Sequence, residues 1–273
     1  MKKLITLLTT VLIISVLAAC GKGGSAGDEQ ELVVGASNVP HAEILEEAQP
    51  ILEEKGIKLE IEKLQDYVTP NQMLAAGELD ANFFQHVPYM ESQMKDNKSY
   101  DFENAGGVHI EPMGVYSKDH KSLDELPKKG TIIMSNSVGE HGRILSLLEK
   151  EGLIKLKEGV DVDKATVKDI AENPKEINFK TDVEAGLLPK IYKNGEGDAV
   201  VINTNYAIDA GLDPQKDAIA LEGSDSEYVN IVAVNKGDKD DKKIKTLVEV
   251  LQSKEIQDFI KKEYKGAVVP VNE

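Results

Sequence analysis

The stretch Asp80-Ala81-Asn82-Phe83-Phe84-Gln85-His86-Val87-Pro88-Tyr89 gathers aromatic, amide and imidazole side chains more densely than any other part of the 273-residue chain. In an extended strand, alternation puts Asn82, Phe84 and His86 on one face and Ala81, Phe83 and Gln85 on the other. One phenylalanine then serves a core, while the other stands between an amide and an imidazole. Apolar contact with a few polar handles is the chemistry of a small-molecule pocket. Further polar clusters lie at Tyr67, Asn136–Arg143, Asn203, Asn205 and Asn230. Arg143 is the only arginine among 32 basic residues, and the pattern puts it at a helix start, where a positive charge is mildly unfavourable beside the helix dipole. An anion to bind explains that misfit better than the fold does.

Covalent catalysis needs an activated nucleophile or a matched acid–base pair, and the chain shows no Gly-x-Ser-x-Gly elbow. Cys20 is the single cysteine, which leaves no disulfide, no thiolate metal site and no cysteine dyad. His41, His109 and His120 have no companions at metal-ligand spacing, so they read as structural or exposed. Neither a metal nor a cofactor is expected. A net charge of −16 disfavours nucleic acid as a partner. Two other classes compete with a small-molecule-binding protein: an exported hydrolase, which lacks its signature, and a purely structural or adhesive role, which tight stoichiometric binding of a small molecule would argue against.

Each of these residues must be held by an element. At the N-terminus Lys2 and Lys3 precede an apolar run from Leu4 to Leu17, too short for a membrane-spanning helix and built like a secretory signal. It ends in Leu17-Ala18-Ala19-Cys20, which resembles a bacterial lipobox. Residues 1–19 would be removed and Cys20 lipidated, several acyl chains making a lasting anchor. Residues 20–30, rich in glycine, read as a flexible tether. The expected location is the extracytoplasmic face of a cell membrane.

From Glu31 onward strands and helices alternate. Glu31–Ala36 is a strand, and Ile44, Leu45, Ala48, Ile51 and Leu52 follow at helical spacing, with Ser37 or Asn38 as cap and Pro50 as a kink. Val108–Ser117 is a strand broken by Pro112, a place where the chain can cross between lobes. Thr131–Ser135 is a strand, Asn136–His141 a polar loop and Gly142–Lys150 a helix, with short strands near 165–170 and 176–179. Asp198–Ile202 and Tyr228–Val234 are buried strands, and two helices close the chain. The alternation predicts α/β lobes with mainly parallel sheets, in which ligands lie at the carboxyl ends of strands. The polar clusters fall there.

Asp80–Tyr89, His109–Ser117, Ala199–Ala207 and Lys265–Pro270 together resemble the methionine-binding lipoproteins of ABC importers, the NlpA/MetQ-type family, from about Leu32 to Val271. The resemblance implies a two-lobed periplasmic-binding-protein-like (type II) α/β fold with hinge-crossing segments. Residues 31–112 plus 228–273 would form lobe 1 and residues 113–227 lobe 2. It implies no enzymatic activity. L-methionine would sit between the lobes and be delivered to an ABC importer permease and its ATPase, with D-methionine, a methionine-containing dipeptide or another small amino acid as alternative ligands. Carried over by position, Tyr67, Phe84 and His86 would surround the thioether and Arg143 would pair with the carboxylate. Asn203 and Asn230 would hold the α-amino end, Asn205 sharing or replacing the role of Asn203. A polarisable thioether gains on the order of 0.3–1.5 kcal/mol per aromatic contact. A guanidinium can meet a carboxylate through two parallel hydrogen bonds. The segment Asn136–Arg143 departs from the common family form, so the resemblance assigns no contact to Asn136 or His141.

Overall fold

Short β-branched runs, bounded by glycines and separated by amphipathic segments, fold as strands and helices in alternation. The computed structural model describes residues 30–271 apart from Asp225, so the signal peptide expected at 1–19, the lipidation site Cys20 and the tether through residue 29 lie outside the described residues. In chain order the strands are β1 (Gln30–Ala36), β2 (Ile57–Lys63), β3 (Ala81–His86), β4 (Phe102–Ile110), β5 (Gly114–Tyr116) and β6 (Thr131–Ser135). They continue with β7 (Lys155–Leu156), β8 (Ile170–Glu172), β9 (Asn178–Val183), β10 (Ala199–Ile202), β11 (Ala218–Leu221), β12 (Val229–Asn235) and β13 (Val269–Pro270). One sheet runs β13-β4-β12-β3-β1-β2 and the other β11-β5-β10-β6-β9, while β7 and β8 pair separately.

Mainly parallel sheets were expected, and the sheets are mixed. β1 is parallel to β2 and β3, and β6 to β9 and β10, but β12 is antiparallel to β3 and β4, and β5 to β10 and β11. The reason is the crossing. β5 and β12 are the first strands after the chain changes sheet, and a strand that enters from the hinge runs against neighbours that end there.

Both sheets are covered on both faces. On β12, Val232 and Val234 pack with the helices Glu43–Glu54, Lys242–Leu251 and Lys254–Tyr264, while Ile231 and Ala233 pack with Leu74, Leu79, Met90 and Phe102. In the second sheet Val115, Ile132 and Met134 meet the helix Val138–Lys150, and Tyr116, Ile133 and Ile202 meet Leu188 and Ala207.

Local departures from the sequence reading have physical causes. The helix Glu43–Glu54 runs through Pro50, expected as a kink, with the proline on its exposed side, where the carbonyl it fails to bond is open to water. A π-type turn, Asn38–Ala42, leads into that helix, and Ser37 bonds His41 instead of capping it. The helix expected from Gly142 begins at Val138. A 3-10 turn, Val167–Asp169, occupies most of the expected strand near 165–170, and β8 begins only at Ile170.

Among the described residues the chain changes sheet at Glu111-Pro112-Met113 and again between Leu221 and Val229. The two crossings run side by side: the Glu222 N–H donates to the Met113 carbonyl at 2.9 Å, and the Met113 N–H donates to the Glu222 carboxylate at 3.0 Å.

Candidate ligand-binding site

All six residues of β3 are buried. Its pairing with β12 slips between Gln85, opposite Ile231, and Phe83, opposite Val232, which leaves Phe84 as an extra residue. Such a bulge breaks the period-two alternation. Asn82 therefore does not share a face with Phe84 and His86, as strict alternation predicts. It joins Gln85 and Asn71 in a buried amide cluster: Gln85 Nε2 donates to Asn71 Oδ1 at 2.8 Å and to Asn82 Oδ1 at 2.9 Å, and Asn71 Nδ2 donates to Gln85 Oε1 at 3.0 Å. The cluster fixes the strand that carries Phe84. The Phe84 ring lies 5.9 Å from Tyr67 and 6.0 Å from Tyr89, and Tyr206, from the other lobe, lies 4.8 Å from Tyr67.

β3 ends at His86, which caps the helix Val87–Asp96: its Nδ1 accepts the Tyr89 N–H at 3.2 Å. Nδ1 is thus unprotonated, and Nε2–H is left to donate across the cleft to Glu140 Oε1 at 2.5 Å. Glu140 belongs to the helix Val138–Lys150, whose N-terminus packs closely on lobe 1. A Cβ on Gly139 would stand 3.3 Å from Ser92 Cβ and 3.6 Å from Tyr89 Cα. Glu140 Oε2 accepts from Asn203 Nδ2 at 3.1 Å and lies 3.9 Å from Arg143 Nη1. Burial pushes the Glu140 carboxyl up, but the bond from His86 Nε2–H, the charge of Arg143 and the bond from Asn203 outweigh it and hold it below the usual carboxylate range.

Arg143 sits in the second turn of this helix, not at its start, so the dipole argument does not apply to it. Nε and Nη2 donate to Glu222 Oε2 at 2.9 and 2.5 Å, Nη2 also donates to the Glu111 carbonyl, and the Tyr228 ring covers the guanidinium at 4.7 Å. The fork that could have met a ligand carboxylate is occupied by Glu222. Nη1 is the nitrogen these bonds leave over.

Asn205 Oδ1 accepts from the Tyr67 hydroxyl at 2.6 Å, and its backbone N–H donates to Glu111 Oε2 at 3.0 Å. Asn230 lies opposite His86 in the β12–β3 ladder, and its Oδ1 is 3.0 Å from His41 Nε2. Glu111 Oε1 also faces that nitrogen at 3.2 Å and lies 2.8 Å from His109 Nε2, while Ser37 Oγ lies 2.6 Å from His41 Nδ1. With two oxygens before it, His41 Nε2 carries the proton, and the Ser37 hydroxyl donates to Nδ1.

His41 and His109, isolated in sequence, are therefore brought together with Glu111, their ligating atoms all within 4.8 Å of one another. This corrects the expectation that they lack companions. The facing atoms are engaged in hydrogen bonds with one another, which makes the cluster a buried hub behind Asn230 and Asn205. Burial holds His41 down at about 4 and His109 at about 3, so both are neutral near pH 7. Burial also pushes the Glu111 carboxyl up, against the pull of His41 and Arg143. His120 lies apart, partly exposed and 3.6 Å from Asp198.

Tyr67, Phe84, His86, Arg143, Asn203, Asn205 and Asn230 all line one cavity, with about 360 Å³ of empty volume. Gln85, Tyr89, Glu111, Glu140 and Thr204 complete its wall and were not singled out from sequence. Tyr89 and Glu111 stand inside two of the motifs, and Glu140 lies one helical turn before Arg143, a signal that appears only once the helix is started at Val138. His141 is not a wall residue; its Nε2–H donates to the Ser135 carbonyl at 2.8 Å.

The family model of the NlpA lipoprotein matches residues 32–272. The chain is 52% identical, over the full length of both proteins, to the methionine-binding lipoprotein MetQ of Bacillus subtilis strain 168. It is 38% identical, over 94% of each chain, to the D-methionine-binding lipoprotein MetQ of Escherichia coli K12. A nutrient-binding protein from Burkholderia cenocepacia, solved bound to methionine, superposes with a TM-score of 0.82 at 43% identity, covering 88% of this chain and 99% of that one. On this evidence the chain has the two-lobed periplasmic-binding fold and belongs to the NlpA lipoprotein family, whose members are substrate-binding proteins and not enzymes.

Proposed function

We propose that the chain is the substrate-binding lipoprotein of an ABC importer and that it carries L-methionine in the cavity between its lobes. The observation that supports this is the division of the cavity wall. Tyr67, Phe84 and Tyr89 form an aromatic end, and Arg143, Glu140, Glu111 and three asparagines form a charged and polar end. An amino acid with an uncharged, polarisable side chain divides in the same way.

The hydrogen bonds already made suggest the ligand's orientation. Tyr67 and His41 occupy the oxygens of Asn205 and Asn230, which leaves both amides with N–H groups to donate, suited to the ligand's carboxylate beside Arg143 Nη1. Asn203 donates to Glu140 and keeps its own oxygen, next to that carboxylate, for the α-ammonium. Asn230 is thereby reassigned from the amino end to the carboxylate end. The D-methionine named for the Escherichia coli relative would use the same groups with the α-carbon inverted. Lipidation at Cys20 would keep the protein on the extracytoplasmic face, where the permease can receive it.

The test is calorimetric titration of protein that has been unfolded and refolded to strip carried-over ligand. Saturable one-to-one binding of L-methionine, much tighter than D-methionine, leucine or glycyl-methionine, is expected. Absence of binding by L-methionine to protein shown to be folded overturns the reading.

A further inference from the structure

Glu222 is not a wall residue of the cavity, yet it controls what the cavity's arginine presents. Its Oε2 accepts from Arg143 Nε and Nη2 and from the Met113 N–H, and its Oε1 accepts from the Ser226 hydroxyl at 2.8 Å. Met113 and Ser226 lie in the two different crossings, so the carboxylate is fixed from both sides of the hinge and Arg143 is fixed with it.

The charges facing the cavity can be counted. His86 is already committed, its Nδ1 to the Tyr89 N–H and its Nε2 to Glu140 Oε1, and His41 and His109 behind the wall are held neutral by burial. Arg143 is then the wall cation with a nitrogen left to meet a ligand, set against Glu222 at its fork and Glu140 at 3.9 Å from Nη1, with the buried Glu111 nearby. A ligand that brings a carboxylate alone adds a negative charge to a site whose positive charge is already neutralised. A ligand that also brings an ammonium offsets it next to Glu140.

We propose that Glu222 is a specificity-determining residue: by neutralising Arg143 and occupying its Nε–Nη2 edge before ligand arrives, it makes the site accept a zwitterion and reject the same skeleton carrying only a carboxylate. This rests on the reading that the cavity holds an amino acid with its carboxylate at Arg143.

The experiment compares L-methionine with 2-hydroxy-4-(methylthio)butanoate, in which a hydroxyl replaces the ammonium. Both are titrated near pH 7 into the full lipoprotein in detergent, wild type and Glu222→Gln. Wild type should prefer methionine strongly, and Glu222→Gln should shrink that preference by roughly ten-fold or more, because the freed guanidinium charge favours the anion. A ratio of affinities unchanged in Glu222→Gln, whether both ligands weaken equally or neither does, overturns the proposal, since a merely structural role would move them together. If Glu222→Gln is too unstable to titrate, thermal shifts replace heats: the hydroxy acid should raise the melting temperature more, relative to methionine, than in wild type. Equal relative shifts overturn the proposal. Failure of wild type to bind methionine at all would instead overturn the amino-acid reading beneath it.

Discussion

At the scale of single residues, the free energy of the site depends on which atoms remain available after the protein has bonded itself. Arg143 keeps one nitrogen for a ligand, because Glu222, the Glu111 carbonyl and Tyr228 engage the rest. A lysine there retains the charge and loses the fork. Arg143→Lys is expected to weaken methionine binding on the order of 10–100-fold in a calorimetric titration. It should also lower the melting temperature, since Glu222 is left with a poorer partner. That Tyr67, Phe84, His86 and Arg143 line one cavity was partly legible: Phe84 and His86 stand in the Asp80–Tyr89 motif and Arg143 is the single arginine of the sequence, whereas Tyr67 lies outside the motifs. The orientation of Asn230 and the pairing of Arg143 were not. Glu222 stands 79 positions from Arg143, and His41 stands 189 from Asn230, separations that local pattern cannot bridge.

At the scale of elements, lobe closure is made by contacts between pieces far apart in the chain. The Tyr67 hydroxyl reaches Asn205 at 2.6 Å, and the Tyr206 hydroxyl reaches the Gln65 carbonyl at 3.1 Å, both across the cleft. Tyr67→Phe removes the first bond and keeps the ring, so affinity should fall by about 2–10-fold, the value of one hydrogen bond. Its melting temperature without ligand should change little. A second prediction concerns the helix Glu43–Glu54. Pro50→Ala restores one main-chain hydrogen bond on an exposed turn and should raise stability by about 1–3 kcal/mol, read from the urea midpoint. Element order was readable from apolar spacing, but the antiparallel entry of β5 and β12 and the bulge at Phe84 were not. The former is decided by where the chain crosses, the latter by the register between β3 and β12.

At the scale of the whole molecule, the buried hub couples stability to pH. His41 and His109 are held at about 4 and 3, below the ordinary 6.5, so the unfolded chain takes up protons first as pH falls. Their contribution is complete above about 6.5 and is lost as pH drops towards 4, amounting to a few kcal/mol. Glu140, held below its ordinary 4.5, contributes above that value and loses the contribution as pH falls below it. Urea midpoints should therefore be flat from pH 8 to 7 and clearly lower at pH 5, and His109→Gln should reduce the slope. The paired crossings at Glu111-Pro112-Met113 and Glu222 also limit how the molecule can move. Two strands bonded to each other at one edge act as a door's pins: they allow a swing about one axis and resist sliding or twisting. Opening is therefore expected to turn about one axis, and a single distance across the cleft, such as that from Ser92 to Gly139, should track it.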